Sequence, residues 1–256
     1  MYAIISDLHS NIEALTAVYD DMGGFAVERV FCLGDVIGYG PNPRETLRMV
    51  KRCEFILMGN HEEGLLYFAK DFNPRARAAI EWTKDQLNDP KFPKDENYEL
   101  WGMLDNLPKI METAGATFVH GSLRDETRDY VLPDDIHNRQ KMGEIFAKLK
   151  TQTCFFGHTH IPGVWTESGK FLRPDQFGST YVVPAEKVVI NVGSVGQPRD
   201  GDNRACYVLV DGGRVIFRRV KYDYVTTMQK ILATERLAES LAERPNVSGM
   251  YISSAL

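Results

Sequence analysis

Residues 2–22, "YAIISDLHSNIEALTAVYDDM", run from a short apolar stretch into a turn bearing an acid, a histidine and an asparagine, and then into a helical pattern. "YAIIS" has the β-prone character of a buried strand, and "IEALTAVYDDM" places apolar residues three and four apart, as an amphipathic helix does. The same phrase returns twice. "RVFCLG" leads through "DVIGYGPNP" into "RETLRMVKR", and "EFILM" leads through "GNHEEG" into a further helical stretch. Strand, polar turn and helix in repetition predict an α/β sheet with helices on its faces. In such sheets ligands gather at the carboxyl ends of the strands, which is where these acidic and histidine-bearing turns fall.

The chain of 256 residues, 43% hydrophobic and 25% charged, has the composition of a soluble globular protein able to bury a sizeable core. Its formal charge is −5 and no block of about five like charges occurs, so no nucleic-acid backbone partner is expected. The N-terminal stretch meets Asp7 too early for a secretory leader, and no apolar run approaches the ~18 residues of a membrane span. A cytoplasmic location without a membrane partner is the expectation. Cys32, Cys53, Cys154 and Cys206 lie in or beside apolar runs with no C-x-x-C pair, which predicts reduced core residues.

From about 64 to 110 the pattern becomes helical, with "RARAAIEWTKDQL" and "YELWGMLDNL" forming an insertion between two turns of the candidate site. Its aromatics, Tyr67, Phe68, Phe72, Trp82 and Trp101, are expected to pack rather than to touch substrate. The second half is β-prone: "ATFVHGS", "TCFFGHTH", "GVWTE", "TYVVP", "KVVINVG", "ACYVLVD" and "RVIFRRVKY", broken by Gly, Pro and Asp, suggest a second sheet. An amphipathic terminal helix is expected over about 223–244. With no linker-like tract or internal repeat, residues 1–256 read as one domain.

The strand-end turns carry a pool of polar groups: Asp7 and His9 in "SDLH", Asp35 in "LGD", Asn60 and His61 in "GNH", His120 in "VHG", and His158 and His160 in "GHTH". Residues two apart in an extended strand end share a face, so each of the pairs Asp7/His9 and His158/His160 points one way. That spacing alone suits a structural histidine pair as well as a metal site. Oxygen and nitrogen donors without a cysteine suit divalent manganese, iron or zinc, and the set is large enough for two ions. Asp35, whose two carboxylate oxygens can serve two cations, is the natural bridge. Gly157 is expected to let the backbone turn sharply toward them.

The ordered set D-x-H, G-D, G-N-H-[D/E], V-H-G and G-H-T-H closely resembles the calcineurin-like metallophosphoesterase family over about residues 4–200. "NVGSVGQPRDGDNRACYVLVD" further resembles its small bacterial and archaeal phosphodiesterase branch. The resemblance implies a four-layer α-β-β-α sandwich of two mixed sheets flanked by helices, with a dinuclear metal centre at the sheet ends. One metal would be held by Asp7, His9, Asp35 and His160, the other by Asp35, Asn60, His120 and His158. His61 would face the substrate. Glu62 stands where the family usually has an aspartate that orients this histidine, so its extra methylene is expected to alter that hydrogen bond.

Such a site would hydrolyse a phosphate ester with a metal-bridging hydroxide, His61 acting as general acid toward the leaving oxygen. A small phosphodiester or nucleotide is the expected substrate. The alternatives are a phosphomonoesterase or protein phosphatase with the same site, or a non-catalytic scaffold on the same fold. Arg199 in "GQPRDG" can bind phosphate or lie in a surface turn, and Asn11 can touch phosphate or cap the helix "IEALTAVYD". His137 reads as a solvated helix residue. The insertion is expected to narrow access to the site or to support contacts in a homo-oligomer.

Overall fold

The computed structural model describes residues 1–67, 69 and 72–243. β1 (Tyr2–Ile5) leads into α1 (Ile12–Met22), β2 (Arg29–Cys32) into α2 (Pro43–Val50), and β3 (Phe55–Ile56) into α3 (Asn60–Leu66). The insertion supplies α4 (Pro74–Leu87) and α5 (Lys94–Asp105). Asn73 caps α4 by accepting the Ala76 N–H at 3.0 Å, and Pro74 occupies its first turn, where no N–H is required. Then come β4 (Ile110–Thr113), β5 (Ala116–Val119), α6 (Arg139–Lys148) and β6 (Thr153–Phe156). β7 (Gly163–Thr166), β8 (Phe171–Leu172), β9 (Thr180–Val182) and β10 (Val188–Asn191) follow, then the hairpin β11 (Ala205–Asp211) and β12 (Arg214–Val220). The described chain closes with α7 (Tyr224–Ala233) and α8 (Glu239–Glu243).

Two six-stranded mixed sheets result, in the orders β3-β2-β1-β11-β12-β9 and β4-β5-β6-β10-β7-β8. The β-prone second half therefore does not all go to a second sheet. β11 pairs antiparallel with β1, and β12 and β9 extend the first sheet beyond it. Alternation along each strand builds the layers. Ile4, Phe31, Phe155 and Ile190 fill the space between the sheets, while Ala3, Ile5 and Cys32 pack under α1 and α2. Cys154, Phe156 and Trp165 pack under α6 on the far side. This is the expected four-layer α-β-β-α arrangement, and strands buried on both faces account for their unbroken apolar runs.

Arg44 of α2 is buried and donates to the Gln86 carbonyl at 3.0 Å, to Asn97 Oδ1 at 2.8 Å and to Glu96 at 2.7 Å, which docks the end of α4 and the start of α5 on α2. Trp82 and Trp101 pack as expected, but Tyr67 is 61% exposed, and Phe68 lies outside the described residues. The terminal stretch is two helices within 223–243, and residue 244 lies outside the described residues. Glu235 turns left-handed there (φ 53°), and the Thr234 hydroxyl accepts the Leu237 N–H at 3.2 Å. The turn brings Leu237 and Leu241 against Ile231, Trp82 and Tyr39, and that burial overrides a continuous helical pattern. Among the described residues no helix is long and apolar enough to cross a membrane. All four cysteines are free.

Candidate metal centre

The site groups stand beyond the strands, because β1 ends at Ile5 and β6 at Phe156. Strand alternation therefore does not aim them. Asp7, His9, Asp35, His158 and His160 all take left-handed backbone conformations, with φ between 46° and 66°. For residues with a side chain this costs roughly 1–2 kcal/mol apiece, so the surrounding structure must hold the turns. Asp7 N–H donates to the Gly34 carbonyl at 3.0 Å, His9 N–H to Asp35 at 2.9 Å and Ser10 N–H to Val36 at 2.8 Å, locking the first turn to the second. Val195 N–H reaches Ser6 O at 3.0 Å, locking a turn of the second sheet to one of the first, and Gly157 N–H reaches His120 O at 3.0 Å, joining two turns within the second sheet. Gly157 itself is not where the chain turns left-handed; His158 and His160 do that. A Cβ at Gly157 would collide with Ser6 Oγ and Asp7 Oδ2, so the glycine serves close approach.

Side chains behind the turns complete the bracing. Glu62 does not touch the His61 ring. Its carboxylate accepts the N–H groups of Asp35 (2.8 Å), Gly59 (2.9 Å) and Ile37 (3.1 Å), so the longer side chain holds the Asp35 turn and caps α3. Asn191 donates to Gly157 O at 2.5 Å and to Thr159 Oγ1 at 2.9 Å, and Ser194 donates to Asp7 O at 2.8 Å. The late "NVGS" turn is thus a brace for both histidine-bearing turns.

In the centre, one ligand atom from each residue of Asp7, His9 and His160 falls within 4.8 Å of the others, as does one from each of Asp35, His120 and His158. Asp35 belongs to both halves, with Oδ2 3.7 Å from His9 Nε2 and 3.4 Å from His120 Nε2, and Asn60 Oδ1 is 3.1 Å from His120 Nε2. His61 also groups with His9 and Asp35. The outward nitrogen of each imidazole meets a backbone carbonyl: His9 Nδ1 on Ile37 (3.1 Å), His120 Nδ1 on Leu33 (3.0 Å), His160 Nδ1 on Gln197 (2.6 Å) and His158 Nε2 on Arg128 (3.2 Å). A carbonyl can only accept, so the hydrogen is on the outward nitrogen and a neutral ring turns a lone pair inward. His9 Nε2 and His160 Nε2 then face each other at 3.1 Å, and His120 Nε2 and His158 Nδ1 at 3.2 Å. Opposed lone pairs at the first contact, and a second contact that a proton on His120 or a metal ion would bridge, beside two buried carboxylates, fit a site built for cations.

The electrostatics agree. Burial pushes His158 down to about 3, helped by the neighbouring His120 charge, and burial holds His9 and His160 below the usual histidine value. Burial would lower His120 too, but the Asp35 charge and hydrogen bond reverse this and raise it to about 9. Burial would raise Asp7 and Asp35, yet the imidazoles around them keep both carboxyls below the ordinary range. Glu62 is raised to about 7 by burial and by Asp35. One proton on His120 is what the cluster uses to balance its carboxylates, in the place a metal ion would compete for.

Around the centre lie Tyr130, which the sequence pattern does not single out, Tyr39, from the "GYGPNP" loop that could shape a pocket rim or simply make a tight turn, and Phe72, expected only to pack. Tyr39 packs its ring on His61 (centroids 4.5 Å) and His9 (4.8 Å), Phe72 lies edge-on to His61 at 5.3 Å, and Tyr130 lies on His158 at 3.9 Å. Phe72 is therefore a neighbour of the site and not only packing. The signal for Tyr39 was its pair of flanking glycines: a Cβ on Gly38 would strike His61 Nδ1. Burial lowers His61 to about 4, against the pull of Asp35, and its Nδ1 is buried without a hydrogen-bond partner. Arg199 depresses both His61 and His160 through its charge, and its Nε is likewise buried and unpartnered. Asn11 uses its oxygen on Ala14 N–H (3.1 Å) and its amide on Gly196 O (2.9 Å), the arrangement of a helix cap. His137 ends a 3₁₀ turn at the surface, away from the centre.

A mixed double sheet with a buried aspartate–histidine cluster at its strand ends defines the class to which the sequence also points. Residues 1–213 match the calcineurin-like phosphoesterase superfamily domain. The chain belongs to that superfamily and is by class a hydrolase of phosphate esters. It is 37% identical over 256 residues to an uncharacterized protein of Methanocaldococcus jannaschii, covering 95% of this chain and 96% of that one. A metallophosphoesterase of Sphaerobacter thermophilus superposes with a TM-score of 0.80 at 35% identity, over 96% of this chain and 98% of its own. A hypothetical protein of Pyrococcus horikoshii shares the fold with a TM-score of 0.73 at 19% identity, over 97% and 98%.

Proposed function

We propose that this chain is a dinuclear metal-dependent phosphoesterase acting on a small phosphodiester or nucleotide. The observation that carries the reading is the inward convergence of four imidazoles, their outward nitrogens satisfied by carbonyls, on two buried carboxylates. Asp7, His9, Asp35 and His160 would hold one ion, and Asp35, Asn60, His120 and His158 the other. When bound, the ions supply charge for the phosphoryl oxygens and a water acidified toward neutrality. Nitrogen and oxygen donors without thiolate suit manganese, iron(II) or zinc.

The chain's own residues do the rest. His61 is held neutral near pH 7 by burial and stands beside the cluster without sharing its carbonyl-anchored geometry. An anionic ester beside it raises its affinity for a proton, which is what a general acid toward a leaving oxygen requires. Arg199 is the phosphate-binding cation. Tyr39, Phe72 and Tyr130 make the remaining wall aromatic. An aromatic wall beside Arg199 suits a singly charged diester with an organic second substituent better than a doubly charged monoester. Four unpaired cysteines support a reducing, cytoplasmic setting.

The test is a rate comparison on paired mono- and bis-(aryl) phosphates and then cyclic nucleotides, with manganese restored after chelation. Preference for the diester and dependence on metal are expected. Preference for the monoester would transfer the assignment to a phosphomonoesterase, and undiminished activity without metal would remove the mechanism.

A further inference from the structure

Glu63 follows Glu62 in α3 but faces another way. Its Oε1 accepts from Lys109 Nζ at 2.5 Å, and its Oε2 from Arg128 Nε at 2.6 Å and Thr127 Oγ1 at 3.1 Å. Thr127 and Arg128 lie in the loop that continues from His120. That loop is folded back on itself, since the N–H groups of His120 and Gly121 both donate to Glu126 O, at 3.1 and 2.7 Å. It also supplies the carbonyl of Arg128 that receives His158 Nε2–H at 3.2 Å, and Tyr130, whose ring covers His158. Lys109 ends the insertion beside Pro108, whose carbonyl accepts Met58 N–H at 2.8 Å just ahead of Asn60. One carboxylate, 12% exposed, thus joins the segments that carry Asn60, His120 and the acceptor for His158.

We infer that Glu63 is a positioning residue for the half of the centre formed by Asn60, His120 and His158, acting through the 121–130 loop. This rests on the two-metal reading above. The physical reason is orientation: the Arg128 carbonyl fixes which His158 nitrogen is protonated and so turns Nδ1 toward His120, and outer partners of this kind tune metal affinity. Among the described residues the partners of Glu63 are Lys109, Thr127 and Arg128, none of which braces the Asp7 or His160 turns. The effect therefore falls on one half. It also makes the exit of the helical insertion part of the support for that half.

The experiment is calorimetric titration of the chelated full chain with manganese alone. In the wild type two binding steps are expected, and Glu63→Ala should weaken one of them by roughly ten- to a hundredfold while the other is unchanged. Glu63→Gln, which keeps the size and one acceptor oxygen, should shift the same step less. Added to His158→Ala the substitution should have little further effect, and added to His9→Ala it should keep its full effect. Equal weakening of both steps, no change in either, or the reverse pattern in the two backgrounds would overturn the inference. Should Glu63→Ala fail to fold by circular dichroism, Arg128→Ala must give the same one-step loss. A wild type that takes up fewer than two manganese ions would remove the two-metal reading itself, and that failure is seen before any variant is compared.

Discussion

The two halves of the centre are built by different means. Around Asp7, His9 and His160 the supports are backbone bonds between adjacent turns and buried neutral side chains, Ser194 and Asn191. Around Asn60, His120 and His158 they include the partly exposed ion pairs of Glu63 with Lys109 and Arg128. Charge sets one ring apart within the second half, since burial holds His9, His158 and His160 below the usual histidine value while His120 is raised to about 9. The lesson is that a site with near two-fold chemistry need not respond evenly: one half is fixed by geometry, the other also by charge.

The largest effect should come from the group common to both halves. Asp35→Ala should abolish both manganese binding steps and lower activity by roughly a thousandfold or more, read by elemental analysis beside turnover; retention of two ions would show that the halves do not share it. His61→Ala should leave both ions in place and cost roughly a hundred- to ten-thousandfold in turnover. Metal loss equal to that of Asp35→Ala would make His61 a ligand, as its grouping with His9 and Asp35 allows.

Acidity should separate the halves. Between pH 7 and 9 metal must displace a proton from His120, so affinity at its half should rise by about tenfold per pH unit, while the half with His9 and His160 stays flat. Titrations at successive pH values measure this, and parallel slopes would erase the distinction. For the chelated protein the signs follow from the same groups. The raised His120 stabilises fully below about pH 6.5, and that contribution is lost as pH climbs through about 9. The depressed Asp7 and Asp35 stabilise above the ordinary carboxylate range and lose that contribution as pH falls. Thermal unfolding should therefore peak between these limits. The smallest effect is that of salt: molar chloride screens the Glu63 pairs and should weaken the His120 half about two- to fivefold relative to the other. Equal weakening of both steps would count against the comparison.

Much of this was legible in the chain. Repeated strand, turn and helix gave the first sheet's parallel core, and the polar residues of the turns gave the cluster, because side chains that end buried strands have few places to go. What was hidden depends on contacts far apart in sequence. That β11 returns to β1 while β10 stays in the other sheet is a matter of pairing partners, which apolar runs do not encode. Glu62 could be read as orienting its neighbour, yet it reaches back to amides at Asp35 and Ile37. The left-handed turns at Asp7 and His158 use residues that carry no glycine signature, and the break at Glu235 sits in an unbroken helical pattern. In both cases tertiary bonds outweigh local preference.

Tyr39 has a second neighbour with an optical consequence. The ring that packs on His61 also lies in the cluster of Trp82, Ile231, Leu237 and Leu241. Trp82 is 5% exposed there, whereas Trp165 is sealed beneath α6 on the far side of the molecule. With the third tryptophan, Trp101, replaced by phenylalanine, the chain carries its own fluorescent gauge: a red shift in the Trp82 component, with Trp165 as an internal standard, would report that the wall beside His61 has opened before any turnover is measured.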